Sequence, residues 1–170
     1  IKGDLRDENF LDNCFRSICL NNPETEIASV IHFAGLKSVN ESTNDPIKYW
    51  DFNLKGTINL LKCMEKYNCT NLVFSSSATI YGVKKEKVLI QECSEIKPIN
   101  PYGNTKAAIE QILKDLSESK KQTWRIASLR YFNPIGAHES GLIGDNPLNI
   151  PNNILPIINK VAAGLIDELK

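Results

Sequence analysis

"NLVFSSSATIYG", residues 71–82, joins an apolar run to three consecutive serines. Leu72-Val73-Phe74 reads as a buried strand. Such a strand has little use for three hydroxyls at its end unless that end faces something polar. In parallel sheets, ligands bind beyond the carboxyl ends of the strands, so serines placed there line a crevice. The plainer reading is that each hydroxyl satisfies a nearby backbone group. The neighbouring segments decide between the two.

Working outward, strands and helices take turns. Residues 7–20 have helical periodicity, with Phe10, Cys14 and Ile18 on one face. "IASVIHFA", residues 27–34, is short, apolar and β-branched, hence a strand. Asp45-Pro46 supplies an N-cap and a first-turn proline, and Ile47, Trp50, Leu54, Ile58 and Leu61 then recur at helical spacing toward Tyr67. Past the serines, residues 101–120 predict another helix, with Ala108, Ile112 and Leu116 on one side, and 124–132 a third strand. This alternation predicts an α/β fold, a Rossmann-like parallel sheet with helices on both faces. After Phe132 the chain becomes rich in Gly, Pro and Asn, until Asn152 or Asn153 caps a last helix toward Glu168.

Bulk composition narrows the function classes. The 170 residues suffice for one domain with a real core, and 20 basic residues balance 20 acidic ones. No basic stripe argues for nucleic acid, and no apolar run approaches a membrane span. The five cysteines are odd in number and form no CxxC pair, which reads as reduced thiols in a cytoplasmic protein. His32 and His138 are too isolated for a metal site. Gly136 and Gly141 have the spacing of a phosphate loop, but Leu142-Ile143 stand where Lys-Ser/Thr is required.

"NPYGNTKAAIEQ", residues 100–111, carries the chemistry. Tyr102 and Lys106 are four apart at a helix start and share a face. A free phenol has a pKa near ~10, and a neighbouring ammonium and the helix N-terminus both favour its phenolate. Tyrosine plus lysine is therefore a workable neutral-pH acid/base. A bare pair at this spacing also arises on ordinary solvated helix faces; the serine-tipped strand one element earlier turns the balance.

Serine, Tyr-x-x-x-Lys and parallel sheet together resemble the extended short-chain dehydrogenase/reductase superfamily. Within it, "GDLRD", "VIHFAGLKSVNES", "FNLKGTINLL", "FSSSATIYG", "PYGNTKAAIEQIL", "LRYFNPIGAHESG" and "IPNNILP" are similar, in order, to the UDP-galactose 4-epimerase family. Sister families that dehydrate or decarboxylate nucleotide sugars show an acidic pair after the serine strand, where this chain has Ser77-Ala78-Thr79.

The resemblance implies an NAD-dependent isomerase of galactose metabolism that interconverts UDP-galactose and UDP-glucose through a 4-keto sugar. It implies that Tyr102 is the acid/base, that Lys106 holds the nicotinamide ribose, and that Ser77 bonds the reacting sugar oxygen. Cofactor contacts carried over are Asp4, Leu5, Phe33, Ala34, Gly35, Leu36, Lys37, Asn53, Ser75, Tyr102, Lys106 and Phe132. Substrate contacts are Lys37, Ser77, Tyr102, Asn133 and Asn153. A homodimer is implied, built on the helices beginning near Pro46 and Pro101.

The superfamily's opening G-x-x-G-x-x-G turn, which binds pyrophosphate, does not occur in these residues. The chain thus reads as truncated at both ends. Residues 1–133 are expected to form a partial NAD-binding domain and 134–170 the start of the nucleotide-sugar-binding region. The alternatives are a catalytically silent fragment, or an enzyme that dehydrates or decarboxylates nucleotide sugars.

Overall fold

A computed structural model describes residues 1–21, 26–83, 89–136, 138–143 and 153–169. Three strands, β1 (Val30–His32), β2 (Asn71–Ser77) and β3 (Arg125–Tyr131), form one parallel sheet in that order. The register sets Leu72 against Val30 and Ile126, and Ser76 against Arg130. The chain divides into two compact units, Ile1–Tyr131 and Phe132–Lys170.

In the first unit, α1 (Glu8–Asn21), α4 (Gly56–Lys66) and α5 (Pro101–Ser117) share one hydrophobic cluster with the sheet. Leu72 and Phe74 point into it from β2 and meet Met64, Ile109 and Leu113. Each such side chain contributes roughly 1.5–3 kcal/mol by leaving water. Ile31 and Leu129, at alternate positions, are exposed on the other side of the sheet. The parallel α/β architecture expected from the alternation is therefore present.

Two helix faces differ from their sequence prediction. On α1 the buried residues are Leu11 and Phe15, while Ile18 is 45% exposed. Two apolar stripes at i, i+4 run side by side there, and the tilted ring contact of Phe15 with Tyr67 (centroids 5.5 Å apart) goes with the buried one. The second difference lies between Pro46 and Lys66. One continuous helix was expected; instead α3 (Pro46–Tyr49) opens into a π-helical segment, Trp50–Lys55, before α4. The wider π turn places Tyr49, Asn53 and Thr57 inward at intervals of four, and leaves Ile47 75% exposed. A short helix, α2 (Val39–Asn44), also precedes this stretch, capped by the Ser38 hydroxyl.

The second unit contains α6 (Ile154–Ala162). The helix ends well before Glu168 because Gly164 takes a φ of +68°, and the Leu165 and Gly164 amides turn back to the Lys160 and Val161 carbonyls. Asn153 is at its N-cap position but makes no capping hydrogen bond there; Asn152 lies outside the described residues, as does much of the irregular stretch before it.

Candidate active site

Helix α5 begins where the sequence says it should. The Asn100 side chain accepts from the Gly103 amide at 2.8 Å, and Pro101 fills the first turn. Gly103 is needed for close approach: a Cβ there would stand 3.1 Å from the Thr79 carbonyl oxygen and 3.0 Å from Pro98 Cβ. The helix start is thereby packed against the 3₁₀ turn (Ala78–Tyr81) that follows the serine strand. Tyr102 and Lys106 are both buried on the inner face.

Each of the three serines has a different use. The Ser75 carbonyl accepts from Lys106 Nζ at 2.8 Å. The Ser76 hydroxyl points into the covered face and donates to the Glu110 carboxylate. Ser77 Oγ accepts from Thr79 twice, from the backbone amide at 3.2 Å and from Oγ1 at 2.9 Å. Its own hydrogen is thus kept for another acceptor, and Ser77 favours the phenolate of Tyr102.

The electrostatics depart from the expectation built on the lysine. Burial raises the pKa of Tyr102, and the opposing influence is the Ser77 hydrogen bond rather than Lys106. Lys106 Nζ lies 5.8 Å from the Tyr102 ring centroid and 4.8 Å from that of Phe74, with its N–H groups turned toward Ser75. Burial pushes its own pKa down to about 8. Spacing on a helix face reveals that two groups meet; it does not reveal how dry the meeting place is.

Asn53 ties the turn after β1 to this site. Its Oδ1 accepts from the Leu36 amide at 2.8 Å, and its Nδ2 donates to the Leu36 carbonyl at 3.0 Å and to Thr105 Oγ1 at 3.1 Å. Thr105 in turn donates to the Tyr102 carbonyl at 2.8 Å. Phe33–Lys37 is therefore held beside α5, and a Cβ on Gly35 would come within 3.1 Å of Asn53 Oδ1 and 3.9 Å of Lys106 Nζ. Below them, Thr57 gives its one hydrogen to the Asn53 carbonyl, so His32 Nε2, at 2.9 Å, is the donor to Thr57 Oγ1. Burial and then Lys106 push the His32 pKa down to about 4, leaving a neutral core histidine.

The remaining expected residues are spread more widely. Asp4 is exposed and bound by Arg6, whose guanidinium also reaches Asp51 and stacks 3.5 Å from the Phe52 ring centroid. This pairing pulls the Asp4 pKa down to about 2. The Leu5 carbonyl accepts from Asn59 at 3.3 Å. Phe33, Ala34 and Lys37 are exposed, with Phe33 tilted against Tyr131. Phe132, Asn133 and Asn153 belong to the second unit and are exposed in it. Thr105, Glu110 and Arg130 join the site without a role predicted from the sequence. For Glu110 a signal existed, since it lies one turn beyond Lys106 on the same face. No group of metal-binding side chains occurs among the described residues.

Comparison with known proteins places this arrangement. The family described as GDP-mannose 4,6 dehydratase matches residues 1–170. UDP-glucose 4-epimerase of Pisum sativum is 48% identical over 98% of this chain and 45% of its own length. The UDP-glucose 4-epimerase of Bacillus subtilis (strain 168) is 48% identical over 99% of this chain and 47% of its own. Among solved structures, UDP-glucose 4-epimerase from Bifidobacterium longum in complex with NAD+ and UDP superposes with a TM-score of 0.85 at 47% identity, covering 99% of this chain and 48% of that one. The chain thus spans about half the length of the relatives it matches. By the match along its whole length, it belongs to the GDP-mannose 4,6 dehydratase family within the extended short-chain dehydrogenase/reductase superfamily, and the relatives it resembles there are UDP-glucose 4-epimerases.

Proposed function

We propose that the protein carrying this chain interconverts UDP-galactose and UDP-glucose with bound NAD. One observation carries the reading: Ser77, Tyr102 and Lys106 converge at the carboxyl end of a parallel strand, and the turn beyond them holds Ala78 and Thr79 instead of carboxylic acids. Without an acid in that turn, nothing there can protonate a departing hydroxyl, which dehydration needs. Two relatives support the ligands, one solved with NAD+ and UDP, the other with NAD and formylated UDP-arabinopyranose.

The residues present fit the nicotinamide-ribose end of the cofactor. Gly35 leaves a gap beside Asn53 and Lys106 that a Cβ would fill, and Lys106 spends one of its three N–H groups on Ser75. Phe33–Lys37, Asn53, Ser75, Lys106 and Phe132 would hold that end, with Asp4 and Leu5 at the adenine. NAD would accept a hydride from sugar carbon 4 and return it to the opposite face. Tyr102 takes the proton of the 4-hydroxyl and gives it back. Ser77 bonds the same oxygen, with its hydrogen directed by Thr79. Lys37, Asn133 and Asn153 would position the nucleotide sugar. On this reading residues 1–133 serve the cofactor, 134–170 open the sugar-binding region, and the protein works as a cytoplasmic homodimer.

The test is turnover of UDP-galactose by the full-length protein with NAD, followed by mass spectrometry. A product of unchanged mass that co-elutes with UDP-glucose is expected, and Tyr102→Phe should abolish it. A product lighter by one water would establish a dehydratase, and an inert wild type a silent relative.

A further inference from the structure

Behind the serines lies a charged cluster that the proposed chemistry does not use. The Glu110 carboxylate accepts from Arg130 Nη2 at 2.7 Å and from Nε at 3.1 and 3.2 Å, and it also receives the Ser76 hydroxyl. Arg130 Nη1 donates to the Tyr81 hydroxyl and to the Glu92 carbonyl, both at 2.7 Å. The two charged side chains are only 9% and 19% exposed. Four segments therefore meet at one guanidinium: α5, β3, the turn after Ser77, and the loop that leads into α5.

The register makes this arrangement specific. Ser76 and Arg130 are partners on adjacent parallel strands and face the same side, where Glu110 joins both. One residue before Ser76, the backbone carbonyl holds Lys106; one residue after it, Ser77 acts on Tyr102 and favours its phenolate. Tyr102, Lys106 and Glu110 are spaced by four along α5, and the latter two each bond one of the successive serines, Lys106 the Ser75 carbonyl and Glu110 the Ser76 hydroxyl. A shift of the strand against the helix would break both bonds and move Ser77 relative to Tyr102.

Stability alone does not explain the pair. A buried ion pair is often matched or exceeded by apolar residues of the same volume, because its desolvation cost consumes the attraction. What apolar residues cannot supply is direction, which the rigid guanidinium fork does supply. We propose that Glu110 and Arg130 are positioning residues: together they lock the serine strand in register with α5, and so hold Ser77 in place beside Tyr102. This rests on the function proposed above for its importance to turnover, but the lock itself can be examined without substrate.

The experiment uses full-length protein labelled with [¹³Cζ]tyrosine, the Tyr102 signal being assigned by Tyr102→Phe. The groups facing Tyr102 are Lys106 on its own helix, Ser77 from the end of β2, and Tyr49 from α3, edge-on at 6.5 Å. None of these is altered in the double variant Glu110→Leu/Arg130→Met, which also leaves no orphaned charge. The variant should keep its melting temperature, move the Tyr102 titration to higher pH, and lower kcat at least tenfold with KM unchanged. Tyr81→Phe, which removes one hydroxyl from Arg130, should move both readouts the same way by less, and it decides the matter if the double variant does not fold. A folded variant with the wild-type titration overturns the lock. If the wild type turns over no nucleotide sugar, the proposed function fails while the titration still judges the lock.

Discussion

Ser75, Ser76 and Ser77 look interchangeable in sequence and are not so in the fold. Strand alternation already sends Ser76 to the other side from its neighbours, but its carboxylate partner, Glu110, is 34 positions away and invisible to local reading. We expect Ser77→Ala to lower turnover by roughly 10²-fold or more, the usual worth of a positioned proton-transfer group. Ser76→Ala should instead mostly cost stability, about 1 kcal/mol, with a smaller loss of turnover through the weakened lock, since Arg130 still holds Glu110. Activity and melting temperature measured side by side separate the two; the reverse pattern would put the strand's phase off by one residue. Lys106 gives a sharper case. Its pKa falls from 10.5 to about 8 on folding, so the unfolded chain binds more protons between those values. Stability is therefore depressed below pH 8 and recovers as pH rises toward 10.5, by at most roughly 3 kcal/mol. Lys106→Met should lose activity, raise the melting temperature at pH 7, and flatten that alkaline rise. A variant that melts lower throughout would mean that the bond to Ser75 outweighs the burial cost.

At the scale of elements, the strands and α5 were legible because their signals are local: β-branched runs, the Asn100-Pro101 cap, and the Tyr102–Lys106 spacing. The segment from Pro46 to Lys66 was legible as a helix but not in its phase, since a π turn leaves no periodic signature in a single sequence. Its cause becomes visible only in three dimensions. Asn53 must present both an acceptor and donors to the Leu36 backbone while also reaching Thr105, and the wider turn gives it that position. Asn53→Ala removes all three bonds and leaves a Leu36 amide and carbonyl without their partner. A loss of about 2 kcal/mol is expected, within the usual range for an unsatisfied polar group. Faster hydrogen exchange at the Leu36 amide should accompany it, with the α1 and α4 amides unaffected by local opening. Unchanged exchange at Leu36 would show that the turn after β1 is held by something other than Asn53.

At the scale of the whole molecule, apolar residues outside the core bear on assembly. α3 and the π segment lie against α5, and they carry Ile47, 75% exposed, and the half-buried Trp50; the half-buried Ile58 follows on α4. On α5 the side chains of Ala108, Ile112 and Leu116 are also half-buried. Within the apolar stripes read from the sequence, Leu61 is buried and Leu54, Ile112 and Leu116 pack against the core, while Ile47 is left outside. Ile112 and Leu116 also pack on the core, so the exposed apolar area on this side is chiefly Ile47, which a partner would cover. The 17 residues of α5 extend roughly 25 Å at ~1.5 Å per residue, enough for one side of a standard interface of about 800 Å² per protomer. A twofold axis would set each helix pair against its copy and bury these positions symmetrically. Sedimentation equilibrium of the full-length protein should therefore give a dimer. Ile47→Glu, which places a charge at the most exposed position, should weaken that dimer and leave the unfolding of the monomer unchanged. A wild-type monomer at micromolar concentration would remove the proposal, and a dimer indifferent to Ile47→Glu would move the interface to another surface.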